Sequence, residues 1–430
     1  DLKDKSFELL LSSPADRRLR GSIGTYLFES ELQQKQRRLV GFSCFGPGCG
    51  LAEFEDPLVT NIENRSVFGS IDFDISQSLT FSAEARYAKD KKTIESSYSC
   101  TDATSPFNGQ AVDDAVDSDA LTPRFILKWQ ATDDAMFYAL VAKGNKPAEF
   151  NSTYFRVTAN PCDSLQARED GLTQTQEEKA WTYEGGTKTT WLDGRAVVNL
   201  SVFWIEWQNQ TAFITVELAN GLVDQALTNA GRSEVFGLEF ESSLAITDRL
   251  TGSLSYGLAD ARYKRYNDPF LAFTTGEGLV TAPGPQQGLP DPNGNNAKGN
   301  AIPFSPKHSV IGSLNYNGDI TAQLGWFART DAVWESKKYT GASNLGILPS
   351  RTIWNGRLGL EHDSWTITGY VSNILNNETP NAAPSFLYFD NQPVSWNKTC
   401  GPGNCRKGIE TAALSPSRGR QYGLDLIYRF

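Results

Sequence analysis

LTFSAEARYA (Leu79–Ala88) sorts its residues by parity. Leu79, Phe81, Ala83, Ala85 and Tyr87 fall on one side, and Thr80, Ser82, Glu84 and Arg86 on the other. A period of two is strand geometry, because successive side chains of a strand point to opposite faces. The pattern returns in LTGSLSYGL (Leu250–Leu258), where Leu254, Tyr256 and Leu258 alternate with Ser253, Ser255 and Gly257. It returns again in ITAQLGWFAR (Ile320–Arg329), where Ile320, Ala322, Leu324 and Trp326 are set against Thr321, Gln323 and Arg329. Composition agrees: 24 Phe, 15 Tyr and 10 Trp against a single Met favour an all-β chain.

The connections are as informative as the strands. Short turns are read at PADRR (Pro14–Arg18), DISQS (Asp74–Ser78), ATDDA (Ala131–Ala135), LDG (Leu192–Gly194), TDR (Thr247–Arg249), NGD (Asn317–Asp319) and HDS (His362–Ser364). They carry the Asp, Asn and Gly that tight hairpins prefer. Between them lie long connections near residues 32–65, 90–121, 145–180, 208–233, 262–306, 336–350 and 376–417. Short and long alternate along the whole chain, with no domain boundary. The Pro/Gly/Asn-rich stretch Ala282–Asn300 falls in a long connection and is read as a loop.

A soluble sandwich leaves that alternation unexplained. A transmembrane barrel accounts for it, with tight turns at one rim and long loops at the other. No apolar run reaches the roughly 18 residues of a membrane helix, which excludes helical spans and leaves strand spans open. The expected fold is therefore all-β, a transmembrane antiparallel β-barrel contributing about 15 strands. Glu84, Arg86, Arg124, Lys128, Lys188, Glu239, Glu241, Arg329, Arg357, Asp425 and Arg429 occupy the polar face. They are expected to face the lumen, with the apolar face turned to lipid. Tyr87, Trp129, Trp191, Trp204, Trp207, Trp326, Trp365 and Tyr428 recur near strand ends, as in headgroup-level girdles.

Covalent chemistry is not indicated. There is no Ser/His/Asp arrangement, HExxH or Walker motif, and His308 and His362 lack His or Cys neighbours. Neither a metal nor a cofactor is expected, and a net charge of −10 disfavours nucleic acid.

The chain ends in QYGLDLIYRF (Gln421–Phe430). Tyr428 and Phe430 on one face resemble the sorting signal of bacterial outer-membrane barrels. FELLLSSPADRRLRGSIGTYLFE (Phe7–Glu29), LTPRFILKWQATDDAMFYALVAKGNKPAEFN (Leu121–Asn151) and WTYEGGTKTTWLDGRAVVNLSVFWIEWQNQ (Trp181–Gln210) are similar to hairpins of TonB-dependent outer-membrane receptors. NAGRSEVFGLEFE (Asn229–Glu241), PFSPKHS (Pro303–Ser309) and WTITGYVSNILNNE (Trp365–Glu378) follow in the order that family shows.

The resemblance implies an outer-membrane receptor for active uptake of a scarce nutrient, a ferric siderophore or another small organic ligand. It implies outer-membrane lipid and lipopolysaccharide as surroundings, and TonB acting through an N-terminal plug. A plug-less, porin-like passive channel is the alternative. Family barrels have 22 strands, so by this count about seven strands precede the first one here. Plug and first strands are not recognisable, and the opening DLKDKSFELL carries no initiator Met or leader. The chain is accordingly expected to be a processed or truncated product, incomplete as a barrel. Expected ligand contacts on the long loops are Trp334, Tyr339, Arg351, Phe386, Tyr388, Phe389 and Trp396, with FLYFDN (Phe386–Asn391) as the stacking candidate. Arg329 and Arg357 are expected to pair with the plug.

Six cysteines all fall in long connections. CFGPGC and CGPGNC lack the second ligand pair of a zinc site and the spacing of a redox CxxC. Cys44–Cys49 and Cys400–Cys405 are expected as local clasps around Pro-Gly turns. Cys100–Cys162 follows by elimination, as a staple between adjacent extracellular loops, where disulfides persist.

Overall fold

The computed structural model describes residues 1–41, 51–96, 99–151, 154–155, 161–217, 223–268, 271, 297–381, 385–388, 409–412 and 415–429. Fifteen strands form one antiparallel sheet in which neighbours follow chain order. They are β1 (Leu2–Ser12), β2 (Leu19–Gly41), β3 (Leu51–Asp74), β4 (Leu79–Ser96), β5 (Asp114–Thr132), β6 (Ala135–Lys146), β7 (Glu178–Trp191) and β8 (Ala196–Glu217). Then come β9 (Val223–Ala245), β10 (Leu250–Tyr266), β11 (His308–Asp319), β12 (Leu324–Glu335), β15 (Arg351–His362), β16 (Trp365–Ser372) and β19 (Gln421–Tyr428). Outside the sheet, β13 (Lys338–Tyr339) pairs with β14 (Ile347–Leu348), and β17 (Ser385–Tyr388) with β18 (Ile409–Ala412). Among the described residues one helix, α1 (Pro161–Glu169), lies between β6 and β7.

Register carries one parity from strand to strand. The row Leu9–Thr25–Val67–Tyr87–Leu121 crosses β1 to β5 on the outer face. The row above it, Phe7–Leu27–Arg65–Lys89–Asp119, turns charged within β3 to β5 and marks the upper edge of the apolar band. Large apolar side chains on this face stay open: Leu358 is 61% exposed and Leu424 is 74% exposed. Such exposure suits lipid contact, because hydrocarbon rather than a protein core receives these groups. Phe81, Trp129, Trp191, Trp326, Trp365 and Tyr428 lie near the tight-turn rim, and Tyr87, Trp204 and Trp334 lie toward the other rim.

The inner face is paved differently. Phe68, Tyr138, Phe203, Phe327 and Tyr370 stand directly opposite Gly24, Gly186, Gly237, Gly359 and Gly423. Each ring occupies the space that a Cβ on its glycine partner would need, at 2.0–2.7 Å. The missing side chain lets the aromatic lie against the wall. At the tight-turn rim, arginines cap turn carbonyls: Arg18 Nε donates to Asp74 O at 2.7 Å, and Arg195 Nη2 to Ala245 O and Ile246 O at 2.8 Å.

Two expectations are corrected here. The long connections at 32–65 and 208–233 are largely strand, because the antiparallel backbone pairing of β2–β3 and β8–β9 continues far above the apolar band. The turn after β11 falls at residues 320–323 rather than at NGD, so Ile320 and Ala322 lie outside the strands.

Candidate functional site

The wall places Glu84, Arg86, Arg124, Lys128, Glu239, Glu241, Arg329 and Arg357 on the inner face. Glu84 and Arg124 are cross-strand partners and form an ion pair at 3.5 Å. Arg86 lies 5.5 Å over the Tyr26 ring and donates to Asn64 Oδ1 at 3.2 Å. Glu8, Tyr26, Phe68, Glu84, Arg86 and Arg124 border a recess of about 590 Å³. Lys128 sits opposite Tyr138, whose hydroxyl donates to Glu184. Glu241 faces Asn199 and Ser255, and Glu239 faces Ser201 and Gly257.

Above part of this wall sits a packed roof. Cys100, in the β4–β5 connection, is disulfide-bonded to Cys162 of α1 in the β6–β7 connection. Around them Leu58, Ile94, Val112, Tyr154, Phe155, Leu165, Ala167 and Ala226 form one buried cluster. Leu58 and Ile94 share parity with the inner-face residues of β3 and β4, so the roof packs on the inner side. Ala226 belongs to β9, so the roof spans from the β3–β4 wall to the tall β8–β9 hairpin. Asp114 accepts from Thr173 Oγ1 at 2.8 Å and Gln174 Nε2 at 2.7 Å, while Asn151 Nδ2 donates to Leu172 O at 3.0 Å.

Glu178, 4% exposed, anchors the next segment of wall. It accepts from Lys146 Nζ at 3.2 Å, Trp207 Nε1 at 2.8 Å and the Thr211 hydroxyl. Burial alone would lower the Lys146 pKa, but the Glu149 and Glu178 carboxylates outweigh it and hold the ammonium above its ordinary value. In the β4–β5 connection, the hydroxyl and backbone N–H of Thr104 hold the Asp102 carboxyl below its ordinary range. A second cluster, of Tyr263, Tyr266, Leu271 and Ala297, forms at the last turn-distal residues of β10 and the connection after it; burial pushes the Tyr263 phenol up to about 12.

Among the described residues, the expected ligand contacts Trp334, Tyr339 and Arg351 lie on separate elements. Trp334 requires correction: it lies within β12 on the outer face, level with the apolar band, in register with Val310 and Thr352. Trp207 is corrected in the opposite sense. It stands three residues from outward Trp204 and therefore points inward, to Glu178. Tyr339 is half-buried in the β12–β15 connection, with Lys337 Nζ 5.7 Å above its ring. Arg351 opens β15 on the inner parity, opposite Glu335. Phe386 and Tyr388 lie in β17, opposite Thr411 and Ile409. Phe389, Trp396, Cys44, Cys49, Cys400, Cys405 and Phe430 lie outside the described residues. The Lys146–Glu178–Trp207 group went unnoticed in the sequence, although the odd spacing of Trp204 and Trp207 could have signalled it.

A single antiparallel sheet with an outward apolar band, aromatic girdles and a charged inner face defines an outer-membrane β-barrel wall. The family model described as TonB dependent receptor-like, beta-barrel matches residues 18–374, and the chain belongs to that family. Among solved structures it is similar to the ferric yersiniabactin uptake receptor FyuA from Yersinia pestis, with a TM-score of 0.67 and 15% identity over 100% of this chain and 54% of that one. It is similar to the siderophore receptor PiuA from Acinetobacter baumannii, with a TM-score of 0.65 and 15% identity over 99% and 56%. The copper transporter OprC matches with a TM-score of 0.64 and 10% identity over 100% and 56%. The chain thus spans about half the length of these structures. Membership places it in the outer membrane of Gram-negative bacteria.

Proposed function

We propose that this chain is barrel wall of a receptor that imports a scarce nutrient, a ferric siderophore or another small organic ligand, by TonB-driven uptake. The observation that carries the reading is the charged inner face enclosed by an outward apolar band and partly roofed by a disulfide-stapled core. A passive pore gains nothing from a packed roof over its mouth, whereas a receptor must hold its ligand there. FyuA and PiuA, by their descriptions a ferric yersiniabactin receptor and a siderophore receptor, support the same ligand class. The barrel itself performs no covalent chemistry.

Further strands close the barrel in this reading. The sheet order begins at β1 and ends at β19, and each has one strand neighbour among the described residues. An open edge in hydrocarbon costs several kcal/mol for each unsatisfied backbone group. The remaining wall and a lumen-filling plug, on which TonB pulls, complete the receptor. Tyr339, Arg351 and the FLYFDN segment are the proposed ligand contacts at the long-loop rim, where lipopolysaccharide surrounds the barrel.

The test is uptake in cells that carry or lack TonB, with a growth-limiting iron complex as probe. Receptor function predicts uptake that disappears without TonB. Uptake that persists there, rising linearly with external concentration, would establish the porin-like channel instead.

A further inference from the structure

At one point of the inner wall two like charges meet head-on. Arg329 of β12 and Arg357 of β15 are direct cross-strand partners. Both face inward, because Trp326, Ala328 and Trp334 of β12 and Leu358 of β15 take the outward parity. Side chains so placed have Cβ atoms about 5 Å apart, and like charges there are destabilising unless something neutralises them. Other inner-face arginines have partners: Arg20 has Asp74, Arg124 has Glu84, and Arg86 has the Tyr26 ring.

This pair is poorly served by its own wall. Arg329 Nε reaches Asp331 Oδ1 only at 3.8 Å, and Asp331 Oδ2 is already engaged by Asn355 Nδ2 at 2.8 Å. Arg357 forms no ion pair among the described residues. Its neighbours in the row are Asn315 beyond Arg329, and Tyr370 and Gly423 on the other side. Asp425 shares the inner face but is two strands and one inner row away, opposite Thr368. The adjoining rings do not fill the space over the pair, since Phe327 lies across Gly359 and Tyr370 across Gly423. Both arginines remain exposed.

We propose that Arg329 and Arg357 together form a seat for a carboxylate within the barrel. Two guanidinium forks side by side present parallel N–H edges to the two oxygens of one planar anion, a geometry that a lysine pair does not reproduce. The carboxylate comes either from a small molecule in the lumen or from an acidic side chain of a polypeptide segment seated there. The first source rests on the uptake reading above, and the second on its plug.

The experiment is thermal unfolding of the full-length protein in detergent, wild type against Arg357→Gln, without and with citrate as the probe. A seat predicts that the substitution lowers Tm, by about 2 °C or more. Bare repulsion predicts the opposite sign, because removing one charge relieves it. A fall already present in plain buffer assigns the carboxylate to the protein itself. Stabilisation of wild type by citrate that Arg357→Gln loses assigns it to a free molecule. Arg357→Lys should retain only part of either effect. An Arg357→Gln protein whose Tm rises or stays unchanged in both conditions overturns the seat. Should that variant fail to assemble, Arg329→Gln carries the same test of sign. The sign does not depend on uptake, so a failed transport assay and a failed seat remain separate results.

Discussion

The wall and the roof of this protein obey the same physics in different solvents. In the wall, Leu358, Leu424 and Val67 stand open on the outer face. In the roof, Leu165, Tyr154 and Ala167 are at most 1% exposed. The wall keeps its apolar groups in hydrocarbon and needs no core behind them. The roof lies above the bilayer in water, so it must build a core of its own and staple it. The comparison teaches that burial cannot be read from residue type until the solvent on each face is known.

The sharpest way to break this comparison is to cut the staple. In the chain-entropy model, Cys100→Ser with Cys162→Ser should lower the free energy of roof opening by about 4 kcal/mol. Hydrogen exchange and proteolysis across residues 99–113 and 161–177 should accelerate steeply while β5, β6, β11, β12, β15 and β16 keep their protection. Equal loss of protection in both regions would mean that roof and wall unfold as one unit.

Next in size is the outer face. Leu358→Arg places a charge near the middle of the apolar band and should cost about 2–4 kcal/mol in denaturant titrations from lipid vesicles. Ile311→Arg, on the inner face and half exposed in wild type, should stay within about 1 kcal/mol. If both cost the same, the assignment of faces is wrong. The residue beside Leu358 probes the inner pavement. A Cβ at Gly359 meets the Phe327 ring at 2.4 Å and Ile367 O at 2.9 Å. Gly359→Val should therefore cost about 1–3 kcal/mol by overpacking. Phe327→Leu combined with it should recover part of the loss in the same titration.

The smallest effect is a pH dependence at the mouth. Tyr263 has its folded pKa raised by burial from 10.0 to about 12. A raised folded value means that its contribution is complete below pH 10 and is lost as pH climbs through about 12. Tyrosinate absorbance should show one late-titrating class, with exchange protection around Tyr263 and Tyr266 falling in the same window. Early titration of every tyrosine would mean that this cluster is open to water.

Much of the wall was legible because a period of two, once established, propagates. Glu84, Arg124, Glu239 and Arg357 reach the inner face by parity alone, and Asp133, Asp193 and Asp363 mark turns by local chemistry. Trp334 and Trp207 were misjudged for want of the same counting. Trp334 lies eight residues from Trp326 and shares its face, while Trp207 lies three from Trp204 and does not. The height of β2–β3 and β8–β9 was harder to see. Above the bilayer alternation gives no signal: Gln33–Arg38 of β2 run polar without a break, and Ala212, Phe213 and Ile214 of β8 run apolar. The Cys100–Cys162 bond is reached by elimination once the two local clasps are assigned, but the core around it is not. Leu58, Leu165 and Ala226 are separated by long stretches of chain and share no local pattern.

By itself the sequence determined the strands, their order, the lipid-facing parity and the rim that bears the loops. Each of these depends on neighbours one or two residues apart. Only the tertiary structure decided which side chains meet across strands: rings over glycines, the buried Glu178 with Lys146 and Trp207, and Arg329 against Arg357. Such meetings depend on register, and a shift of one residue in a single hairpin would exchange every partner.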